Sequence, residues 1–271
     1  MTSWFCIFLV GAVLRVKYSK LGKVRFLGHR DVARLWERVL RRTRLPLAYT
    51  QGFSPHPKLA FGLALPVGWE SIAEYLDVGF AEEVAAEEFA LTVGPLLPAG
   101  FSLRLVGSPL ADSPSLSELA TVADYLVFVG PPGSLVAEGG IPELSKGAGH
   151  SGGEQPFIEV ITAALSKGCL LARRLKGGEQ IVEDVRPMIL DISEYRAQKG
   201  KGGPCEDGSV ERIFMRLRTK PYVLRPEAVV DAVSGEFRWH VHRVRKLAQY
   251  REEDGRLSSL DAFLIPRWEP A

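Results

Sequence analysis

The stretch that decides the fold is residues 18–77, which reads YSKLGKVRFLGHRDVARLWERVLRRTRLPLAYTQGFSPHPKLAFGLALPVGWESIAEYLD. Just before and within it, Leu14, Val16 and Tyr18 alternate with polar residues, the period-two pattern of a strand with one buried face. A second set of apolar residues then recurs at helical spacing: Val32, Leu35, Trp36, Val39 and Leu40. Between the two, residues 21–22 predict a turn and 24–27 an extended segment. Asp31 is expected to cap the helix by accepting hydrogen bonds from first-turn amides.

The elements that follow predict an α+β fold. We expect strands at 45–49 and 58–66, then a strand, a helix and a strand, at 75–80, 82–97 and 101–106. The resulting order, β-α-β-β-α-β, is that of the ferredoxin-like fold. After a stretch rich in Ser and Pro the same order recurs, with a helix expected at 226–233. We therefore expect two tandem ferredoxin-like domains, the second decorated with flexible loops at 130–153 and 196–208.

Composition supports a folded chain of two domains. Of 271 residues, 46% are hydrophobic and 24% are charged, which excludes disorder along the whole chain. The expected parts are an N-terminal extension at 1–13, a first ferredoxin-like domain at 14–108, a linker at 109–119, a second α+β ferredoxin-like domain at 120–250 and a C-terminal tail at 251–271.

Charge is distributed unevenly along the chain. The net charge is only +2, yet residues 15–58 carry twelve Lys and Arg against two acids, Asp31 and Glu37. Residues 70–88 are acidic and contain no Lys or Arg. Because the location of charge matters more than its sum, we expect one basic face.

The cysteines and the first apolar run bear on location. Three cysteines, without CxxC spacing, argue for the reducing cytoplasm and against a disulfide framework or a structural zinc site. The apolar run at 4–14 is too short to span a membrane. We therefore expect a cytoplasmic protein with no membrane, metal or cofactor requirement.

Two histidines are candidate functional residues. His56 lies between Pro55 and Pro57, which restrict the backbone and present the imidazole in one orientation, suited to phosphate contact or to acid/base catalysis. The alternative is a shaped surface loop with no chemistry. His29 is expected near a helix N-terminus, where anions are favoured, or simply packed at the junction. Two histidines without a spaced carboxylate partner do not predict a metal site.

Basic residues predict contact with nucleic acid. Arginines on one side of the predicted helix suit phosphate, because a guanidinium pairs with it bidentately and binding releases counterions. The alternative is an ordinary solvated helix face. The candidate set is Lys17, Lys23, Arg25, His29, Arg30, Arg34, Arg38, Arg41, Gln51, His56 and Lys58. A second basic run, residues 238–251, predicts either a surface for stacking bases or a charged edge strand.

Three segments carry a family resemblance: YSKLGKVRFLGHRD at 18–31, LPLAYTQGFSPHPKLAFGLALPVGWES at 45–71 and AEYLDV at 73–78. In order and spacing they resemble the bacterial radical-SAM-linked family of unknown function. The likeness covers 14–106 closely and 120–245 by architecture. The chain departs from the family pattern at Gly28, Arg30 and Ser54, while His29 and Asp31 match it.

The resemblance implies an accessory protein that binds RNA, such as tRNA or rRNA, for modification or processing by a radical SAM enzyme. The chain itself has no CxxxCxxC and so lacks the three thiolates of a radical SAM cluster. One alternative is a metal-independent endoribonuclease using His56 or His29, by fold analogy with CRISPR repeat-processing enzymes. Another is a protein-docking module with no RNA affinity, using the loop at 51–58 and the acidic stretch at 70–88.

Overall fold

The computed structural model describes residues 12–131, 156–195, 210–234 and 239–270. The strands are β1 (Ala12–Lys20), β2 (Leu59–Phe61), β3 (Glu70–Phe80), β4 (Phe101–Pro109), β5 (Val122–Gly130), β6 (Leu171–Lys176), β7 (Glu179–Asp184), β8 (Ile189–Glu194), β9 (Glu211–Arg218), β10 (His240–Glu253), β11 (Arg256–Ser259) and β12 (Leu264–Trp268). The α-helices are α1 (His29–Arg41), α2 (Ala86–Val93), α3 (Leu116–Leu119), α4 (Phe157–Leu165) and α5 (Pro226–Ser234). The expected α+β class is confirmed.

The chain forms two compact units. Unit 1 comprises Met1–Val67, Ser71–Ala120 and Ser258–Ala271, and unit 2 comprises Gly68–Glu70 and Thr121–Leu257. The segment treated above as a C-terminal tail therefore contributes to both units and carries β11 and β12. Within the segment treated as a linker, α3 packs its two buried leucines into a small core.

Unit 1 is an antiparallel sheet with strand order β12-β4-β1-β3, and β2 pairs with β3. Helices α1 and α2 cover one face of this sheet. There Leu14, Val16 and Tyr18 of β1 pack with Trp36 of α1 and Phe89 of α2 in one buried cluster. The residues between them point to the other face, as the predicted alternation requires. That face is also buried, since Arg15 and Ser19 are 2% and 1% exposed, so the expectation of a strand with one buried face was wrong.

The second face of the unit 1 sheet is covered by segments distant in sequence. Tyr75 of β3 packs with Leu116 and Leu119 of α3 and with Leu260. The carboxylate of Asp261 accepts hydrogen bonds from Tyr75 Oη at 2.7 Å and from Lys17 Nζ at 2.6 Å. This contact ties the C-terminal segment to β1 and β3.

Unit 2 is an antiparallel sheet with order β10-β5-β9-β8, and β6 and β7 form a separate hairpin. Its helices α4 and α5 bury Phe157, Ile161, Val229 and Val230. Each unit contains four strands in the element order β-α-β-β-α-β. They are β1, β2, β3 and β4 in unit 1 and, leaving out the β6–β7 hairpin, β5, β8, β9 and β10 in unit 2. Across each sheet these four strands lie in the order fourth, first, third, second.

Several local predictions were wrong. Asp31 was predicted as the N-cap of the helix, but α1 begins at His29 and its N-cap is Gly28. The Gly28 carbonyl accepts hydrogen bonds from the amides of Asp31 and Val32 at 3.1 and 3.0 Å. Residues Gly22–Phe26 form a 3-10 helix instead of an extended segment. Lys20 stabilises the C-terminal end of this 3-10 helix, because its Nζ donates hydrogen bonds to the carbonyls of Arg25 and Leu27.

The boundaries of other elements also differ from prediction. The strands expected at 45–49 and 58–66 reduce to β2 and two isolated bridges, Leu47 with Phe80 and Tyr49 with Pro57. Pro57 lacks an amide donor, and Pro46 likewise interrupts a continuous ladder. The helix expected at 226–233 is confirmed at Pro226–Ser234. Residues 1–11, and nearly all of the two segments predicted as flexible loops, lie outside the described residues.

Over the described ranges, no α-helix combines the length and the apolar character needed to cross a membrane.

Candidate nucleic-acid interface

Helix α1 presents four arginines on one side, Arg30, Arg34, Arg38 and Arg41, which we call the arginine face. All four are exposed, whereas Val32, Trp36, Val39 and Leu40 on the other side are buried. With 3.6 residues per turn, these four arginines fall within about 80° of arc, opposite the buried stripe. The amphipathic spacing read from the sequence therefore places the positive charges together.

The arginine face is weakly neutralised. Arg34 lies 4.0 Å from Asp31 and Arg41 lies 3.9 Å from Glu37, at the outer limit of an ion pair. The Arg34 and Asp31 side chains are 73% and 56% exposed, so water screens their attraction and the pair contributes little. Within the described part of the chain, Arg30 and Arg38 make no ion pair. These guanidinium groups remain available to an anionic partner.

Residues 50–57 form a tight loop beside α1. The amide of Thr50 donates to the His56 carbonyl at 2.8 Å, and the His56 amide donates to Thr50 Oγ1 at 3.0 Å. Gly52 has φ of +129°, a conformation that side chains with Cβ rarely adopt. The loop is thus closed at its base, and residues 51–56 are exposed.

Glu37 joins this loop to the arginine face. Its Oε2 lies 3.3 Å from His56 Nδ1 and 3.9 Å from Arg41 Nη2. The imidazole is 55% exposed and the carboxylate 27% exposed. Sequence reasoning treated Glu37 only as a compensating charge, although its i,i+4 spacing to Arg41 was a signal that the two side chains meet.

His29 lies elsewhere. It is the first residue of α1, exposed, and its ring packs edge-on against Phe61 at 5.2 Å between centroids. Glu37 is eight positions after His29, which corresponds to about 12 Å of helix axis, so His29 is about two turns from the carboxylate that contacts His56. The two candidate histidines therefore lie at separate points of the surface.

Beneath His29 is a small polar cleft of about 20 Å³, enough for one water. Its lining includes Tyr18, Lys20 and Glu74, all buried in the sheet. Burial, and then the negative charge of Glu74, raise the pKa of Tyr18 well above its usual value. Lys20 is engaged with the backbone carbonyls of the 3-10 helix. The cleft is too small for a nucleotide.

A larger groove of about 530 Å³ runs along the opposite flank of α1. The groove is lined by both apolar and charged side chains. The apolar ones are Leu27, Leu35, Val39, Leu96 and Pro98, and the charged ones are Arg34, Arg38, Arg42 and Asp31. The arginine face is thus bordered by the loop on one side and by this groove on the other.

The remaining predicted residues are dispersed. Lys17 is on the far face of the sheet, where its ammonium group contacts Asp261 at 2.6 Å. Lys23 and Arg25 belong to the 3-10 helix before α1, and Arg25 lies over the Phe26 ring at 4.6 Å. Gln51 is exposed in the loop, and Lys58 is half-buried at its end. The structure brings together the arginine face, the loop and His56, but not Lys17.

The second basic run, now β10, is not an open cationic surface. Arg243 and Lys246 are buried, and Arg245 donates to Glu70 Oε2 at 2.7 and 3.0 Å. His242 is half-buried, and burial, followed by the nearby His240, lowers its pKa. These groups are engaged within unit 2.

Comparison with known proteins identifies a family. A family described as uncharacterized proteins conserved in bacteria, DUF2344, matches residues 14–226. The chain belongs to this family. The DUF2344 match includes most of β1, the arginine face and the loop, and extends to the start of α5. No curated protein matches the chain.

Among solved structures, the DUF2344 chain is similar to one titled "Crystal Structure of a Cbf5-Nop10-Gar1 Complex", at 8% identity and a TM-score of 0.44. The match covers 88% of this chain and 50% of the other chain, so this chain spans about half the length of the structure it matches. A likeness at this level carries no argument about function. Over the described residues, no group of three or more His, Cys, Asp or Glu is arranged to hold a metal ion.

Proposed function

We propose that this chain is a cytoplasmic RNA-binding accessory protein whose RNA contacts are made by the arginine face and the loop at 50–57. The observation that supports this most directly is the cluster of four exposed arginines within about a quarter of the helix circumference. A guanidinium group binds phosphate through two parallel hydrogen bonds. Neutralising the phosphates also releases the counterions condensed on the nucleic acid, which favours binding.

The architecture is part of the proposal. We assign the two units as tandem ferredoxin-like domains, which the strand order fourth, first, third, second in each unit supports. In unit 1 this arrangement places α1 on the outside of the sheet with its apolar stripe inward. Its arginines therefore point to solvent.

The proposed partner is a radical SAM enzyme that modifies or processes the bound RNA. This part is based on the resemblance of residues 18–31, 45–71 and 73–78 to the radical-SAM-linked family. The three cysteines of the chain, Cys6, Cys169 and Cys205, do not have the spacing of a cluster motif, so the iron–sulfur chemistry would come from the partner.

The direct test is RNA affinity as a function of salt. The Arg34→Glu/Arg38→Glu variant is compared with Arg104→Glu/Arg173→Glu, which changes net charge equally at exposed positions of β4 and β6. We expect log K of the wild type to fall linearly with log salt concentration, with a slope reflecting the number of phosphate contacts. Only the α1 variant should flatten that slope. Equal losses in both variants would contradict a localised site.

Isolation of bound RNA from the native host identifies the ligand. Specific RNA that is enriched with the wild type and lost from the α1 variant supports the RNA-binding function. A radical SAM protein recovered without enriched RNA would instead favour a protein-docking module.

The contact between His56 and Glu37 favours one second candidate, a metal-independent endoribonuclease. A carboxylate 3.3 Å from an imidazole nitrogen can orient the ring for general acid/base catalysis. This activity predicts RNA cleavage in the presence of a chelator that is abolished by His56→Ala. Cleavage that persists in His56→Ala and disappears in His29→Ala would move the active site to the start of α1.

A further inference from the structure

The tip of the loop at 50–57 carries an aromatic side chain that the fold does not use. Phe53 is fully exposed, and Tyr49 at the base of the loop is 43% exposed. Within the described residues, neither ring stacks on another aromatic side chain. A phenylalanine in water stabilises neither the core nor the loop, so the Phe53 ring is free to contact a ligand.

The loop holds Phe53 in place without burying it. The two hydrogen bonds between Thr50 and His56 close its base, and the isolated bridge between Tyr49 and Pro57 continues this pairing. Pro55 and Pro57 further restrict the backbone. An aromatic ring on a restrained loop loses little conformational entropy when a flat ligand stacks on it.

The loop also lies beside the arginine face. His56, three residues after Phe53, contacts Glu37, and Glu37 contacts Arg41. Phosphate contacts at the arginine face and a stacking contact on the adjoining loop can therefore be made by one strand. Proteins that bind single strands combine these two elements, a cationic track and aromatic platforms.

From this combination we infer that the site binds unpaired RNA, with the face of an unstacked base on Phe53 and the phosphates of adjacent nucleotides on the arginine face. The inference rests on the proposed RNA-binding function and narrows it to single strands, loops or bulges. Inside a duplex both faces of each base are covered by neighbouring bases, so a base within it cannot stack on Phe53, whereas an unstacked base in a single strand, loop or bulge can. Phosphate contacts alone do not make this distinction.

The test compares a short oligouridylate with an RNA duplex carrying the same number of phosphates, using fluorescence anisotropy with the full chain. Phe53→Ala is compared with Leu91→Ala, which removes an exposed apolar side chain from α2. We expect Phe53→Ala to weaken oligouridylate binding by about tenfold, with an unchanged salt slope and unchanged duplex binding. Leu91→Ala should bind both RNAs as the wild type does.

The outcomes separate this inference from the proposed function. If the wild type binds RNA and Phe53→Ala binds the single strand equally well, or loses affinity equally for both RNAs, the inference is wrong while RNA binding stands. If the wild type binds neither RNA, both fail. Phe53→Trp should bind the single strand as tightly as the wild type, whereas Phe53→Leu should bind it as weakly as Phe53→Ala. This pattern would show that the ring acts by stacking rather than as an apolar contact.

Discussion

Arg15 on β1 lies directly opposite Asp77 on β3, and its guanidinium donates two hydrogen bonds to that carboxylate, at 2.7 and 2.9 Å. The Arg15 side chain is only 2% exposed. Asp77→Ala should therefore lower the free energy of unfolding by about 3–5 kcal/mol, because it leaves a buried guanidinium without its counter-charge. Chemical denaturation measures this loss.

The exposed pair on α1 provides the control for that experiment. Asp31→Ala should cost less than about 1 kcal/mol, since Asp31 and Arg34 are both in water. Replacing both buried partners, as Arg15→Met/Asp77→Leu, should recover much of the loss. A similar cost for Asp77→Ala and Asp31→Ala would contradict the buried pair.

Asp261 is the second position where stability depends on a distant contact. Asp261→Ala should destabilise unit 1 by about 1–3 kcal/mol, because the hydroxyl of Tyr75 and the ammonium of Lys17 lose their common acceptor. Asp261→Asn keeps an acceptor for Tyr75 and should lose less. Thermal melting of both variants, beside Glu82→Ala at an exposed position, distinguishes this contact from a general charge effect.

Glu227 of unit 2 should make stability depend on pH. Burial raises the pKa of this carboxyl above its ordinary value of 4.5, although Trp69 Nε1 donates to its Oε1 at 2.7 Å. The folded state therefore binds the proton more tightly than the unfolded chain does. Stability from this group is present below the unfolded pKa and is lost as pH rises through the folded pKa.

The Glu227→Gln variant tests that dependence. Glutamine keeps an acceptor for Trp69 and cannot ionise, so its stability relative to the wild type should increase as pH rises above 4.5 and then level off. Unfolding by denaturant at several pH values gives this difference. If the difference in the free energy of unfolding between Glu227→Gln and the wild type did not change with pH, folding would not raise the pKa of Glu227.

Glu37 should limit RNA affinity under the proposed function. Glu37→Gln removes a negative charge beside the arginine face while an amide can still contact His56. We expect about fivefold tighter binding, since two unit charges 4 Å apart in water interact by about 1 kcal/mol. Glu82→Gln, an exposed acid before α2, should leave affinity unchanged. Weaker binding by Glu37→Gln would show instead that the carboxylate positions His56 for the RNA.

The sequence predicted what local spacing determines. The buried and charged sides of α1 follow from 3.6 residues per turn, and the two faces of β1 follow from alternation. These two regularities were enough to predict the α+β class and the grouping of Arg34, Arg38 and Arg41. Arg30 joins that group because α1 begins at His29 and not after Asp31.

Contacts between distant residues were not predictable in this way. Nothing in the sequence near Lys17 indicates that Asp261 is its partner, so Lys17 remained a candidate for nucleic acid. The contact of Glu37 with His56 likewise depends on how the loop folds back on α1. The 3-10 helix at Gly22–Phe26 was missed because it is held by a lysine side chain rather than by the propensities of its own residues.

The pairing of β12 with β4 has a consequence for how the protein is made. A ribosome synthesises β4 early, then all of the described strands of unit 2, and only afterwards β12. Throughout that interval the backbone groups of β4 that later pair with β12 are open to other strands, including those of neighbouring nascent chains. Unit 1 is therefore the later of the two units to be completed, and the part of the chain for which protection during translation matters most.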